Sequence, residues 1–469
     1  MLNLKATVAI YDFNRPYQSP KDEEKEGYGF IIDISKGLVL TNSNIVENAI
    51  NIVARLGKKD IYLELISICR EKEVALCKVD ISMIGKDVFN FGDSMLIKKG
   101  DKISSENNIG IITGFVPVSN GVEDSLTRNP CYISTNFEEK IGSPVFNSSS
   151  EVIGMFSHKN MFIPSRTFLS VYPEMLKNNI VKIPTLALEW CKTNRELMKK
   201  QTGTSSTYGI YVRKVYPDSC LDQLEKGDVI RRIDYQDYFW NDNGTTNKDA
   251  FNLKSFETKT LVTIFLDRFG VTTSIGKLKN PDELDENKLE FEINFTERKL
   301  EISEVIDMIP INSKITLNMC RESQWYKLNT QYIYIPSERI SYIYPKIEKL
   351  DYEIFSGICF SNLYRNNFLD CNGNNGNNEY KKSVIINKIF PESYAYKTQS
   401  LKAGQIIKSM FAYNVKFEFI KESHIVISSL EDIRNILKLK PNYIQFTTTD
   451  NYTFICSSEN LELKNYEIL

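Results

Sequence analysis

The sequence predicts a mainly β protein, with paired sheets or barrels over residues 1–175 followed by two copies of a smaller unit. Three observations carry this. The N-terminal part is a succession of short apolar, β-branched and aromatic runs separated by Gly, Asp and Asn. One pattern occurs twice further on: a Gly-led strand, a Lys/Gly turn into a further strand, a short helix and a closing hairpin. A length of 469 residues suits three or four domains, each able to bury its own core.

Taken in order, strands are expected at Thr7–Tyr11, Gly29–Ile32, Leu38–Thr41, Ile52–Leu56 and Val74–Val79. Further strands are expected at Ile109–Phe115, Cys131–Ser134, Ser143–Phe146 and Val152–Phe156. Short strands at such spacing suit a sandwich or a pair of barrels. A helical pattern at Phe168–Lys177 closes this part, and a connector with Pro184 and a helical stretch near Asn194–Lys200 follows. The first repeat runs from Gly209–Val215 through Lys226-Gly227-Asp228-Val229-Ile230 to a helix at Ser303–Met308 and a hairpin of Ile315–Met319 with Tyr326–Leu328. The second has strands at Gly357–Phe360 and Val384–Phe390, then Lys402-Ala403-Gly404-Gln405-Ile406-Ile407 in the place of Lys-Gly-Asp-Val-Ile. It continues with a helix at Ser429–Leu437 and closing strands at Tyr443–Thr448 and Tyr452–Cys456. Each copy carries a polar insertion, about 241–297 in the first and Asn372–Asn378 in the second, too poor in apolar residues to order by burial. The expected domains are 1–178, 179–340 and 341–469.

A formal net charge of −2 argues against nucleic acid or an anionic membrane surface as a partner. No run of about 18 apolar residues is present, so no membrane span is expected. The nine cysteines are odd in number, scattered and without a CxxC pair, and only His158 and His424 are available beside them. Neither a disulfide framework nor a metal site is expected, and no cofactor. Scattered thiols and an N-terminus without a signal pattern predict the cytoplasm or another reducing intracellular compartment. Heavy use of Asn, Lys and Ile hints at an AT-rich genome, that of a protist or a large DNA virus; in a virus, a structural role in the virion would fit.

Four stretches carry a family resemblance. They are Gly27-Tyr28-Gly29-Phe30-Ile31-Ile32; Leu40-Thr41-Asn42-Ser43-Asn44-Ile45-Val46; Glu73-Val74-Ala75-Leu76-Cys77-Lys78-Val79; and Glu139-Lys140-Ile141-Gly142-Ser143-Pro144-Val145 followed by Glu151-Val152-Ile153-Gly154. Together with Phe162-Ile163-Pro164-Ser165 they resemble the HtrA/Deg serine proteases. The resemblance implies a chymotrypsin-like double β-barrel followed by two PDZ-like domains. It puts the family's catalytic His on Asn44, its Asp on Glu73, its nucleophile on Ile141 and an oxyanion-hole Gly on Glu139. In the PDZ-like repeats, Thr207-Tyr208-Gly209-Ile210 and Phe355-Ser356-Gly357-Ile358 fit the loop that receives a ligand's terminal carboxylate.

Triad chemistry needs a nucleophile, a base and a carboxylate that orients the base. Ile141 has no hydroxyl or thiol, Asn44 has no basic nitrogen, and Glu139 would repel a developing oxyanion. The expectation is therefore a degenerate protease with no catalytic residues, an interaction or scaffold protein rather than an enzyme. It would bind protein or peptide C-termini through Tyr208, Gly209, Ile210 and Gly357, and would form a homo-oligomer, a trimer if Tyr11, Phe13 and Tyr17 act as the trimerising segment of relatives. Two alternatives stay open: an active endopeptidase with Ser143 as a displaced nucleophile, and a holdase-type chaperone.

Overall fold

Along Leu2–Ile10, Leu2, Leu4, Ala6 and Val8 are buried while Asn3 and Lys5 face water, the period of two that builds one wall of a barrel. The computed structural model describes residues 1–56, 59–83, 88–106, 108–116, 131–184, 186, 188–192, 194–203, 208–216, 219–257, 259–281, 290–296, 298–336, 340–368, 381–391, 393–420 and 424–457. Two units are formed, one of Met1–Thr7 with Glu24–Pro336 and one of Val8–Glu23 with Ser337–Leu469.

The first barrel comprises β1 (Leu2–Ile10), β2 (Lys21–Asp33), β3 (Leu38–Asn42), β4 (Ala49–Leu56), β5 (Lys59–Cys69) and β6 (Val74–Lys78), closed in the order β1-β2-β3-β6-β5-β4. A single helical turn, α1 (Ser43–Val46), follows β3 and is capped by the Asn42 side chain. The second barrel comprises β7 (Lys102–Ser104), β8 (Ile109–Val116), β9 (Tyr132–Thr135), β10 (Pro144–Phe146), β11 (Val152–His158) and β12 (Met161–Pro164), in the order β10-β11-β12-β9-β8-β7. Ile103, Ile112, Ile133, Val145, Ile153, Phe156 and Phe162 fill it. Closure leaves neither barrel an open sheet edge. The short helices α2 (Ser165–Leu169) and α3 (Tyr172–Met175) occupy the stretch expected to be helical.

The rest of the first unit is one sheet with flanking helices. Its elements are β13 (Leu188–Cys191), α4 (Arg195–Thr202), β14 (Ile210–Val215), β15 (Val229–Asp237), α5 (Lys248–Phe251), β16 (Thr260–Leu266), β17 (Thr272–Leu278), β18 (Phe291–Thr296), α6 (Ile302–Met308), β19 (Lys314–Arg321) and β20 (Gln324–Gln331). β15 is central: Ile230 pairs with both Ile210 and Met319, and Arg232 with both Phe265 and Asn318. The segment expected to be an unordered insertion supplies three of these strands. Thr260, Val262, Thr263, Ile264 and Leu266 are buried, and Phe239, Ala250 and Phe251 pack with Phe91, Phe168 and Leu169 of the barrel part. A high count of Asn and Asp hid this apolar pattern. The polar run 282–289 and the Asn372–Asn378 loop lie outside the described residues.

A buried ion network fixes the sheet against the barrels. Arg166 on α2 is fully buried; it donates Nε and Nη2 to the two oxygens of Asp93 at 2.6 Å each and Nη1 to Asp237 at the end of β15 at 3.2 Å. Its guanidinium also lies 4.6 Å from the Trp240 ring centre. Burial opposes the Arg166 charge, but Asp93 and Asp237 outweigh it and hold the group protonated. Asp237 is pushed up by burial, against the pull of Arg166. A second buried link joins Lys72, beside β6, to Asp307 on α6; Asp307 also accepts from Thr167 at 2.6 Å.

The second unit has β21 (Tyr352–Phe355), β22 (Ile358–Asn362), β23 (Val384–Ile389), α7 (Tyr394–Thr398), β24 (Ile406–Tyr413), β25 (Ile425–Val426), α8 (Leu430–Lys438), β26 (Tyr443–Thr448) and β27 (Thr453–Ser457). The sheet order is β21-β22-β23-β24-β26-β27, with β25 on β24. α8 starts at a capping box of Ser429 and Asp432 and buries Leu430, Ile433 and Ile436 against the sheet.

Removing one partner of a buried charge network leaves the others uncompensated. Arg166→Ala is expected to cost about 3–5 kcal/mol, read as a lowered urea midpoint followed by tryptophan fluorescence. A change of under about 1 kcal/mol would mean that the network does not hold the unit together.

Candidate functional site at the barrel junction

The chain folds Asn44, Glu73 and Ile141 to the place where the two barrels meet. Asn44 sits in α1, its amide held by the Asn42 side chain at 2.9 Å, and its carbonyl accepts from Lys25 Nζ at 3.2 Å. The Ser43 amide donates to the Glu73 carbonyl at 3.1 Å, joining α1 to the turn before β6. Ile141 lies in the loop before β10, and its carbonyl accepts from the Tyr28 amide of β2 at 2.8 Å. Gly27 lies against both Ile45 and Ile141, since a Cβ there would overlap the Ile45 side chain and come within 2.8 Å of the Ile141 carbonyl oxygen. Gly142 is required by conformation and by space. Its φ is +87°, and a Cβ would overlap the Tyr28 carbonyl oxygen.

Glu73 has a left-handed backbone (φ 52°), which turns its side chain across the junction into the second barrel. There its carboxylate accepts from Tyr132 Oη at 2.7 Å and from Ser157 Oγ. Burial, and then the neighbouring carboxylate, push the Tyr132 phenol well above its ordinary range. Neither Tyr132 nor Ser157 was singled out in the sequence. They stand 59 and 84 residues from Glu73, and no local pattern marks them. The residue before Glu73 is Lys72, whose buried ammonium pairs with Asp307 of α6, so the sheet part of the first unit reaches to one residue from the site.

Around this centre, Glu139 accepts from Asn108 at 3.0 Å and Lys140 lies 5.4 Å from the Tyr28 ring centre. Ser143 is fully buried just before β10, and among the described residues its hydroxyl and that of Ser43 have no hydrogen-bond partner. His158 is exposed at the end of β11 with its ring 5.1 Å from that of Tyr132, and His424 stacks on Phe411 in the second unit at 4.4 Å.

The residues expected to receive a peptide carboxylate lie at the starts of β14 and β22. The Gly209 amide donates to the Leu266 carbonyl at 3.0 Å, the Tyr208 ring lies 5.0 Å from the Arg231 guanidinium, and Ile210 is buried and paired with Ile230. This turn is bonded into the sheet through the Gly209 amide. Gly357 (φ 72°) and Ser356 (φ 51°) form the two-residue turn of the β21–β22 hairpin, the type I′ arrangement that demands positive φ at both positions.

Adding one methyl group at Gly142 tests the junction geometry. Gly142→Ala is expected to cost about 3 kcal/mol or more through strain and overlap, read in urea unfolding. A fully stable alanine variant would mean that the loop does not run as described.

No family model matches the chain. A probable periplasmic serine endoprotease, DegP-like, of Pseudomonas putida (strain W619) is 28% identical over 259 residues, 48% of this chain and 52% of the relative. A probable periplasmic serine protease, do/HhoA-like, of Haemophilus influenzae is 25% identical over 235 residues, 45% of this chain and 49% of the relative. The chain thus spans about half the length of the curated relatives it matches. Solved structures of the HtrA-type protease AlgW with a decapeptide cover 72% of this chain and 95% of their own at 18% identity, with a TM-score of 0.41. These names correct two expectations. The relatives are serine endoproteases, which overturns the reading of the chain as no enzyme, and they are periplasmic, which overturns the reducing intracellular compartment. The chain is a low-identity homologue of the HtrA/DegP-type serine proteases, a mainly β protein on a trypsin-like double β-barrel.

Proposed function

We propose that this chain holds extended polypeptide at the barrel junction of an HtrA/DegP-like frame, with Asn44, Glu73 and Ile141 beside the held chain. The observation that carries the reading is where the Glu73 carboxylate goes: to Tyr132 and Ser157 of the second barrel. The other two positions offer an amide and an aliphatic side chain. Such groups give neutral hydrogen bonds and apolar contact to a peptide backbone and its side chains, and supply neither a nucleophilic atom nor a proton acceptor for the triad route. The relatives' names as endoproteases support polypeptide as the ligand class. The two sheet-and-helix units are read, on the same resemblance, as PDZ-like modules that add a ligand strand.

Fluorescence anisotropy with labelled casein, an unfolded polypeptide, tests this. Ile141→Asp is expected to weaken binding about tenfold or more, about 1.4 kcal/mol, while Ile141→Leu leaves it near wild type. Equal binding by all three proteins would remove the junction as the seat. Cleavage of the casein, with fluorophosphonate labelling that is lost in Ser143→Ala, would replace holding by hydrolysis from a displaced nucleophile.

A further inference from the structure

The hairpin that follows β24 puts apolar side chains into water at the end of the second unit. Along β24 and β26, Met410, Ala412, Ile444 and Phe446 are fully buried in the core with Ile433 and Ile436 of α8. Phe411, Tyr413 and Tyr443 alternate with them and point to the opposite face. The chain then turns through Asn414-Val415-Lys416-Phe417. The Asn414 amide donates to the Glu418 carbonyl and the Phe417 amide to the Asn414 carbonyl, each at 3.0 Å. Asn414 Oδ1 accepts from the amides of Lys416 and Glu418 at 2.9 and 3.0 Å, so the tip is firmly tied. Phe417 takes the left-handed position (φ 59°) that such a turn ordinarily gives to glycine. Its ring stacks on Tyr443 at 4.0 Å yet stays 56% exposed. Phe419 lies 4.8 Å from Tyr413 and 5.7 Å from Phe411 and is 62% exposed, while Val415 and Val426 are each 70% exposed. The turn 438–442 lies beside the tip, since the Asn442 amide donates to the Tyr413 carbonyl at 2.9 Å. Among the described residues around the two turns, Lys408, Lys416, Lys438 and Lys440 face water against Glu418 and Glu431.

The chemistry of these side chains selects the occupant. Val415, Phe417 and Phe419 carry no hydrogen-bonding group on their side chains, so they suit hydrocarbon. Phe417 has one ring face taken by Tyr443 and Phe411 has one taken by His424, which leaves no open aromatic platform for a base or a sugar. Lysines beside an apolar tip can lay their stems on it and keep their ammonium groups at the level of phosphate headgroups. Tyrosines suit the same boundary, apolar at the ring and wet at the hydroxyl. We propose that this hairpin tip is an interfacial membrane anchor, which sinks Val415, Phe417 and Phe419 into the headgroup and acyl boundary of an anionic phospholipid surface. The near-neutral charge of the whole chain conceals this local excess of lysine, and contact of this kind needs no membrane-spanning segment. The inference rests on the second unit alone and is independent of the barrel junction.

The probe is a vesicle of equal parts phosphatidylglycerol and phosphatidylcholine, mixed with the full chain and floated through a sucrose gradient. Wild type is expected to float with these vesicles and about tenfold less with phosphatidylcholine alone. Val415→Ser with Phe419→Ser is expected to lower the partitioning about tenfold or more. Phe417→Asn, which suits the left-handed backbone, should lower it about threefold without disturbing the turn. Lys416→Glu with Lys440→Glu should remove the preference for phosphatidylglycerol. Wild type that stays at the bottom, equal flotation with both vesicles, or apolar-tip variants that float like wild type would overturn the proposal. An oligomer that Val415→Ser with Phe419→Ser dissolves, without vesicle binding, would assign the tip to a second copy of the chain instead. Hydrogen exchange on the wild-type chain keeps the test independent of any variant's folding. Vesicles should slow exchange at 413–420 while 384–389 stay unchanged, and unchanged exchange at 413–420 would also overturn it.

Discussion

The buried guanidinium of Arg166 is the tie on which the first unit depends. It stands on the helix that follows the second barrel, and its partners come from the loop before that barrel and from the end of β15. Such a network costs desolvation and returns it only when every charge is met, so it fixes one arrangement more than it adds stability. Aromatic residues close over it, Phe239 and Trp240 just before the supposed insertion and Phe251 within it, all against the guanidinium. Lys72 and Asp307 repeat the device beside the barrel junction. Buried charge and apolar packing thus join barrels and sheet in one unit.

At the junction, backbone and side chains of both barrels are bonded to one another. Gly27 and Gly142 allow the close approach of strand, turn and loop. The left-handed Glu73 then directs its carboxylate to a phenol and a hydroxyl across the junction. A carboxylate with two donors from the opposite barrel acts as a strut between barrels.

Much of this was legible in the sequence because period-two burial and the Gly-rich motifs are local signals. The barrel strands, the helices at Asn194–Lys200 and Ser429–Leu437 and the convergence of Asn44, Glu73 and Ile141 follow from such signals and from the resemblance they support. The rest depends on long-range partners. β16 to β18 are masked by neighbouring Asn and Asp, although Val262, Ile264 and Leu266 alternate inward. The bond from the Gly209 amide to Leu266 likewise comes from one of those strands, 57 residues away. No strand is expected ahead of Gly357; the pairing of Tyr352–Phe355 with β22 is what makes β21 one.

The most direct measurement is photocrosslinking from the junction itself. A benzophenone amino acid at position 44 would be irradiated in the full chain with casein present, and the adduct mapped by mass spectrometry. The account predicts casein adducts at position 44 that unlabelled casein competes away and that are absent when the same group is placed at the exposed Tyr62, on the outside of the first barrel. Equal crosslinking at both positions, or none at position 44, would contradict a polypeptide seat between the barrels.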